Sequence, residues 1–149
     1  MKLSGESRYG LEALIYLARL DPLRAATAEQ IALATSLPPA FLAKILRRLA
    51  GAGVLSSSRG GATRGYALAR PAEGVSVREV LECIEGGSIF ERCIFWSDVC
   101  GAEPCPLHAC WASVRESLAE LMAETSLADV GTGRADECAA QLRLEQDHG

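Results

Sequence analysis

The stretch "TAEQIALATSLPPAFLAKILRRLAGAGVLSSSRGGATRGYALA", residues 27–69, decides the fold. Thr27 with Gln30 three residues on is a capping-box pattern and predicts the start of a short helix. "SLPP" predicts a turn: Leu37 precedes Pro38 and is pushed out of helical geometry, while Pro39 suits the first turn of a new helix. That second helix carries Leu42, Ile45, Leu46 and Leu49 on one face and stops at Gly51 and Gly53. Its other side shows Ala40, Ala43, Lys44 and Arg47. "VLSSS" and "GYALA" predict two short strands, joined by the glycine-rich tip "RGGATR", residues 59–64, which Arg59 and Arg64 bracket.

The flanks complete the pattern. Upstream, Leu11, Leu14, Ile15 and Ala18 recur at helical spacing, and Pro22 blocks continuation beyond "DPLR". Downstream, "SVREVLECIEG" predicts a helix capped by Ser76 with Glu79, burying Val77, Val80, Leu81 and Ile84. Cys83 inside it reads as a small buried hydrophobe. Helix, short helix, turn, helix, hairpin: this order predicts a mainly α (α+β) chain built as a winged helix-turn-helix plus a long helix. The helix after the turn is expected to enter a DNA major groove, and the arginine-tipped wing a minor groove.

That long helix is expected from Pro106 to about Thr125. Leu107, Trp111, Val114, Leu118, Leu121 and Thr125 are spaced alternately four and three apart, a heptad seam that calls for a second helix. A two-fold homodimer supplies one and suits a palindromic operator in double-stranded DNA. The expected organisation is a DNA-binding domain over residues 1–85, a cysteine-rich loop over 86–105, a dimerisation helix over 106–130 and an acidic tail over 131–149. Cys138 and His148 in the tail are given no role.

Charge is distributed to match. Residues 30–72 hold six basic side chains and no acid, whereas residues 73–149 hold five basic and fifteen acidic ones. A local block of positive charge is a footprint for an anionic polymer even in a chain of net charge −4. The candidate DNA contacts are Thr27, Ala40, Lys44, Arg47, Arg59 and Arg64. No apolar run is long enough for a transmembrane helix, and charges within the first helix exclude a signal peptide. The protein is expected in the cytoplasm, with no membrane partner, where stable disulfides are rare.

That compartment sharpens the reading of "CIFWSDVCGAEPCPLHACW", residues 93–111, which holds four of the six cysteines and one of the two histidines. Zinc ribbons pair tight knuckles of about two to four intervening residues, and only the two four-residue gaps here qualify, which leaves a zinc site open but strained in pattern; the Cys-x-x-Cys of dithiol oxidoreductases is absent. Nothing supplies a catalytic thiol with its base, so an enzyme is not expected. Thiolates from a loop, with histidine as one ligand, suit an iron–sulfur cluster. If Cys105 caps a helix opening at Pro106, His108 lies about 60° from Cys105 around the axis and Cys110 about 140° away. The candidate ligands are therefore Cys93, Cys100, Cys105 and His108.

"MKLSGESRYGLEALIYLA", "LPPAFLAKILRRLAGAGVLSSSRG", "GYALARPAEGVSVREVLECIEG", "CPLHACW" and "SLADV" together resemble the IscR/NsrR/CymR family of bacterial regulators (Rrf-type winged helices), over about residues 1–130. The resemblance implies a dimeric DNA-binding regulator, in many members holding a 2Fe–2S or 4Fe–4S cluster on three loop cysteines, here Cys93, Cys100 and Cys105. It implies His108 as fourth ligand and Arg59 as the arginine before the wing glycines. Arg8 stands where nitric-oxide sensors offer an aspartate. The cysteine spacings, the longer wing with its extra Arg64, and Cys110 in place of an apolar residue depart from the family pattern.

The expected function is thus a sequence-specific transcription regulator, a repressor, that senses iron–sulfur status, redox state or nitric oxide through a cluster, 2Fe–2S favoured. The alternatives are a cluster-free, metabolite- or partner-responsive repressor of the same fold, and a zinc-stabilised DNA-binding scaffold.

Overall fold

The computed structural model describes residues 3–20, 24–61, 64–87, 89–91 and 107–131. Its elements are α1 (Gly5–Ala18), α2 (Ala28–Thr35), α3 (Pro39–Gly51), β1 (Leu55–Ser58), β2 (Gly65–Leu68), α4 (Val77–Glu85), α5 (His108–Glu124) and α6 (Leu127–Asp129), with a 3-10 turn at Ala72–Gly74. This is the expected mainly helical architecture with one small wing.

The decisive stretch folds as its residues dictate. Thr27 Oγ1 accepts from the Gln30 N–H at 3.3 Å, and Gln30 Oε1 accepts from the Thr27 N–H at 2.9 Å, so both halves of the capping box form. Ser36 takes the left-handed conformation at φ 56° and ends α2. Pro39 opens α3, whose Leu42, Ile45, Leu46 and Leu49 are all buried. The wing is antiparallel, with Leu55 opposite Leu68 and Ser58 opposite Gly65. Ala26 extends it: its N–H donates to the Tyr66 carbonyl at 2.9 Å, and the Tyr66 N–H donates back at 2.8 Å. The residue before the α2 cap is therefore fastened to the wing. Ser76 caps α4 by accepting from the Glu79 N–H at 3.2 Å, and Val77, Val80, Leu81 and Ile84 are buried as expected.

Two expectations need correction. In α1 the fully buried residues are Ser7, Gly10, Ala13, Leu14 and Leu17, while Leu11, Ile15 and Ala18 of the expected stripe pack half-buried against the main core. The cause is that α1 packs against α2, α3, α4, α6 and β2, so several sides are covered and no single stripe defines its inner face. Closest approach comes at Gly10, where an added Cβ would overlap Ile84 Cδ1 and lie 3.3 Å from Ile45 Cγ2. The second correction is the start of α5. The first carbonyl of its ladder belongs to Leu107, which accepts from the Trp111 N–H at 2.8 Å, and no side chain caps this end. The helix thus begins at His108, later than expected, and Cys105 and Pro106 lie outside the described residues.

A capping box that the sequence reading missed follows α5. Ser126 Oγ accepts from the Asp129 N–H at 3.2 Å, and Asp129 Oδ2 accepts from the Ser126 N–H at 2.8 Å. Those bonds, the Ser126 hydroxyl first, hold the Asp129 carboxyl below its usual range. The chain turns back here: the Leu127 N–H donates to the Val75 carbonyl at 2.8 Å, and Leu127 is fully buried in the main core. A second, smaller core joins Val77 and Leu81 of α4 to Ile89, Phe90 and Ala119.

Candidate nucleic-acid interface and metal centre

Four of the six candidate DNA contacts come together. Thr27 at the start of α2, Arg47 on α3, and Arg59 and Arg64 on the wing line one open groove of about 760 Å³, with Ser57, Ser58 and Tyr66 along its wing side. The fold builds it through the Ala26–Tyr66 pairing, which sets the wing beside the α2 N-terminus. Gly65 permits that approach, because a Cβ there would meet the backbone of Ala26 and lie 2.8 Å from the Thr27 nitrogen. Its φ of 128° is also one that L side chains rarely adopt.

Ala40 and Lys44 lie outside this groove on the exposed side of α3. Lys44 Nζ pairs with Glu6 Oε1 at 3.3 Å, and Arg48 Nη1 sits 3.5 Å from Glu6 Oε2. Arg48 also donates to the Ile84 carbonyl at 2.5 Å, which ties α3 to the end of α4. Glu6 was not a candidate from the sequence, because its partners are distant along the chain.

Glu29 was also missed. It lines the basic groove beside Thr27, one residue before the acid-free block begins. Its carboxylate is held below the usual range by its own backbone N–H, then by the Thr27 hydroxyl and by the charge of Arg64. The position in the first turn of α2 was the available signal, since carboxylates are stabilised there. The groove therefore presents three arginines and one ionised glutamate.

Cys93, Cys100 and Cys105 lie outside the described residues, and among the described residues no three ligand-type side chains cluster. His108 and Cys110 are described. His108 is the first residue of α5, and its Nδ1 is sealed from solvent with no hydrogen-bond partner. A buried polar nitrogen left unpaired costs about 1–3 kcal/mol, which coordination of a metal would offset. An imidazole so placed fits a cluster held by the adjoining cysteine loop. Cys110 is an exposed free thiol. The entry to the loop is anchored: Arg115 donates to the Glu91 carbonyl at 2.9 Å, and the Arg78 guanidinium stands 5.4 Å from the Phe90 ring centroid. Cys83 is half-buried within α4, its thiol 3.8 Å from the Arg48 carbonyl. Burial raises its pKa, as suits a core thiol.

A helix-turn-helix and an arginine-bearing wing sharing one groove define a winged-helix DNA-binding protein. The chain belongs to the Rrf2 family, described as iron-dependent transcriptional regulators, whose pattern it matches over residues 3–132. It is 34% identical over 143 residues to a protein of Mycobacterium tuberculosis strain H37Rv named as an HTH-type transcriptional regulator, covering 95% of this chain and 88% of that protein. Among solved structures it is similar to CymR, the global cysteine regulator of B. subtilis, with a TM-score of 0.74 and 25% identity over 89% of this chain and 98% of that one. It is similar to T. potens IscR with a TM-score of 0.67 and 25% identity over 87% of this chain and 85% of that one. The protein is thus a transcriptional regulator and not an enzyme, and no described helix is long and apolar enough to cross a membrane.

Proposed function

We propose that the protein is a homodimeric, cytoplasmic repressor whose grip on a palindromic operator is set by an iron–sulfur cluster held by Cys93, Cys100, Cys105 and His108. The observation that carries this reading is the buried, unpartnered Nδ1 of His108 at the head of α5. When bound, the cluster supplies a site that iron supply, oxidants or nitric oxide can alter. His108 would hold it together with the three cysteines. Arg47, Arg59 and Arg64 bind the operator backbone and minor groove, with Thr27, Ala40 and Lys44 completing the contact surface.

The dimer reading is supported by α5. On its intrachain side Ala119 is buried and Met122 half-buried against the α4 residues of the smaller core. Leu107, Val114 and Leu121 of the heptad seam stay 52%, 52% and 59% exposed. Apolar side chains at successive heptad positions, left uncovered, suit a second copy of the same helix.

The test is anaerobic purification followed by visible absorption and iron and sulfide analysis of the parent, His108→Ala and Cys110→Ser. A brown parent, a bleached His108→Ala and an unchanged Cys110→Ser are expected. A colourless parent with one zinc per chain would sink the cluster reading, and a colourless, metal-free parent would favour the cluster-free alternative. Loss in Cys110→Ser with retention in His108→Ala would make the site all-cysteine.

A further inference from the structure

The base-reading half of α3 is almost bare of hydrogen-bonding groups. Its first two turns expose Ala40 and Phe41, leave Ala43 half-exposed and expose Lys44. Phe41 is 55% exposed, a large apolar ring on a helix whose exposed charged residues, Lys44, Arg47 and Arg48, are all cationic. Lys44, whose Nζ stands 3.3 Å from Glu6 Oε1, is the one polar side chain of these turns. The next outward residue, Arg47, turns its Nε onto the Ala43 carbonyl at 3.2 Å and faces the wing groove. No asparagine, glutamine or serine is available here for adenine or guanine edges.

A helix that enters the major groove contacts base edges with its N-terminal residues. The apolar feature of that groove is the thymine C5-methyl group, which small and aromatic side chains contact. We propose that Ala40 and Phe41 read thymine methyls, so that each operator half-site places thymines opposite the start of α3. This rests on the reading of α3 as the helix that enters the groove. Occupancy by DNA, and not by another apolar partner, follows from continuity with the arginine-lined groove at the other end of the same helix and from Lys44 and Arg47 flanking the apolar pair. With bases read by methyl contact and the backbone by arginine, the operator is expected to be rich in A·T pairs.

The experiment uses the full chain, both as purified anaerobically and after iron removal. Binding sites are selected from a random duplex library. Each thymine of the selected half-site is then replaced singly by deoxyuridine, which removes only the methyl. Fluorescence anisotropy measures affinity for the parent and for Phe41→Ser and Ala40→Ser. Loss of one buried methyl-sized contact is worth about fourfold in affinity. We expect one or two positions per half-site to show that loss with the parent, and at least one of the two variants to bind thymine and uracil sites alike. Selected half-sites without thymine opposite α3, or uniform indifference to deoxyuridine, would overturn the inference while leaving DNA reading intact. Failure to select any sequence would overturn the reading of α3 itself.

Discussion

Replacing Gly65 by alanine tests how the DNA groove is assembled. The new Cβ would meet the Ala26 carbonyl and lie 2.8 Å from the Thr27 nitrogen, so the wing must move away from the start of α2. Two backbone hydrogen bonds join these segments, at 2.9 and 2.8 Å, each worth about 1 kcal/mol net. Holding alanine at φ 128° adds about 1–3 kcal/mol of strain. Relief of the clash by breaking the pair, together with residual strain, amounts to about 3 kcal/mol. For a chain of this size that corresponds to a fall in Tm of roughly 6–12 °C. Circular dichroism melts give the Tm, and anisotropy on a selected operator gives affinity. Because Thr27, Arg59 and Arg64 lose their common groove, affinity is expected to drop more than about tenfold even where the variant is fully folded. Gly60→Ala is the control, since a Cβ there meets nothing. A Gly65→Ala protein that melts within about 2 °C of the parent and binds equally well would refute the account of the wing.

Arg59→Ala and Arg64→Ala should each weaken operator binding by about 1–3 kcal/mol and reduce the salt slope by about one, without altering the mass of the oligomer; unchanged titrations across salt would place the wing off the DNA. Glu29→Gln should strengthen binding to non-cognate duplex and steepen the salt slope by about one, because an anion leaves the arginine groove. Since the Glu29 carboxyl sits below its usual range, it is ionised throughout mildly acidic to alkaline conditions, and the effect should fade only as pH falls below that range; a strong pH dependence near neutrality would contradict this. If α5 forms the proposed dimer seam, the parent should sediment as a dimer and Val114→Asp with Leu121→Glu as a monomer in sedimentation velocity, whereas Glu116→Lys should sediment like the parent. Cys110 should be alkylated well before Cys83 in a mass-spectrometric time course, since exposure favours the former and burial keeps the latter protonated.

How far the fold could be read in advance depended on how local its causes were. The α2 cap, the proline start of α3, the apolar face of α3 and the Ser76 cap of α4 all rest on residues within one or two turns of each other, and each was legible. The inner face of α1 was not, because its neighbours come from five elements spread over the chain. Gly10 and Ser7 are buried where helices cross closely, and small residues carry no periodic signal. The groove was legible as a set of cations but not as a balance of charge. Glu29 enters it through the turn of α2, and Glu6 reaches Lys44 only because α1 lies beside α3.

The choice between His108 and Cys110 shows the same division at the site. An angle of about 60° between Cys105 and His108 requires that Cys105 caps α5. The helix begins at His108, and Cys105, on which that angle depends, lies outside the described residues. A helix start without a capping side chain leaves no mark in the sequence, which is why the boundary was misplaced. What separates the two candidates is burial. The His108 Nδ1 is enclosed and unpaired, whereas the Cys110 thiol faces solvent. An enclosed nitrogen gains most from a metal, because coordination replaces a hydrogen bond that water cannot supply there. An exposed thiol would have to leave water to reach the same ion. The preference for His108 therefore stands on the energetics of an unpaired buried atom, and the paired spectra of His108→Ala and Cys110→Ser measure that preference directly.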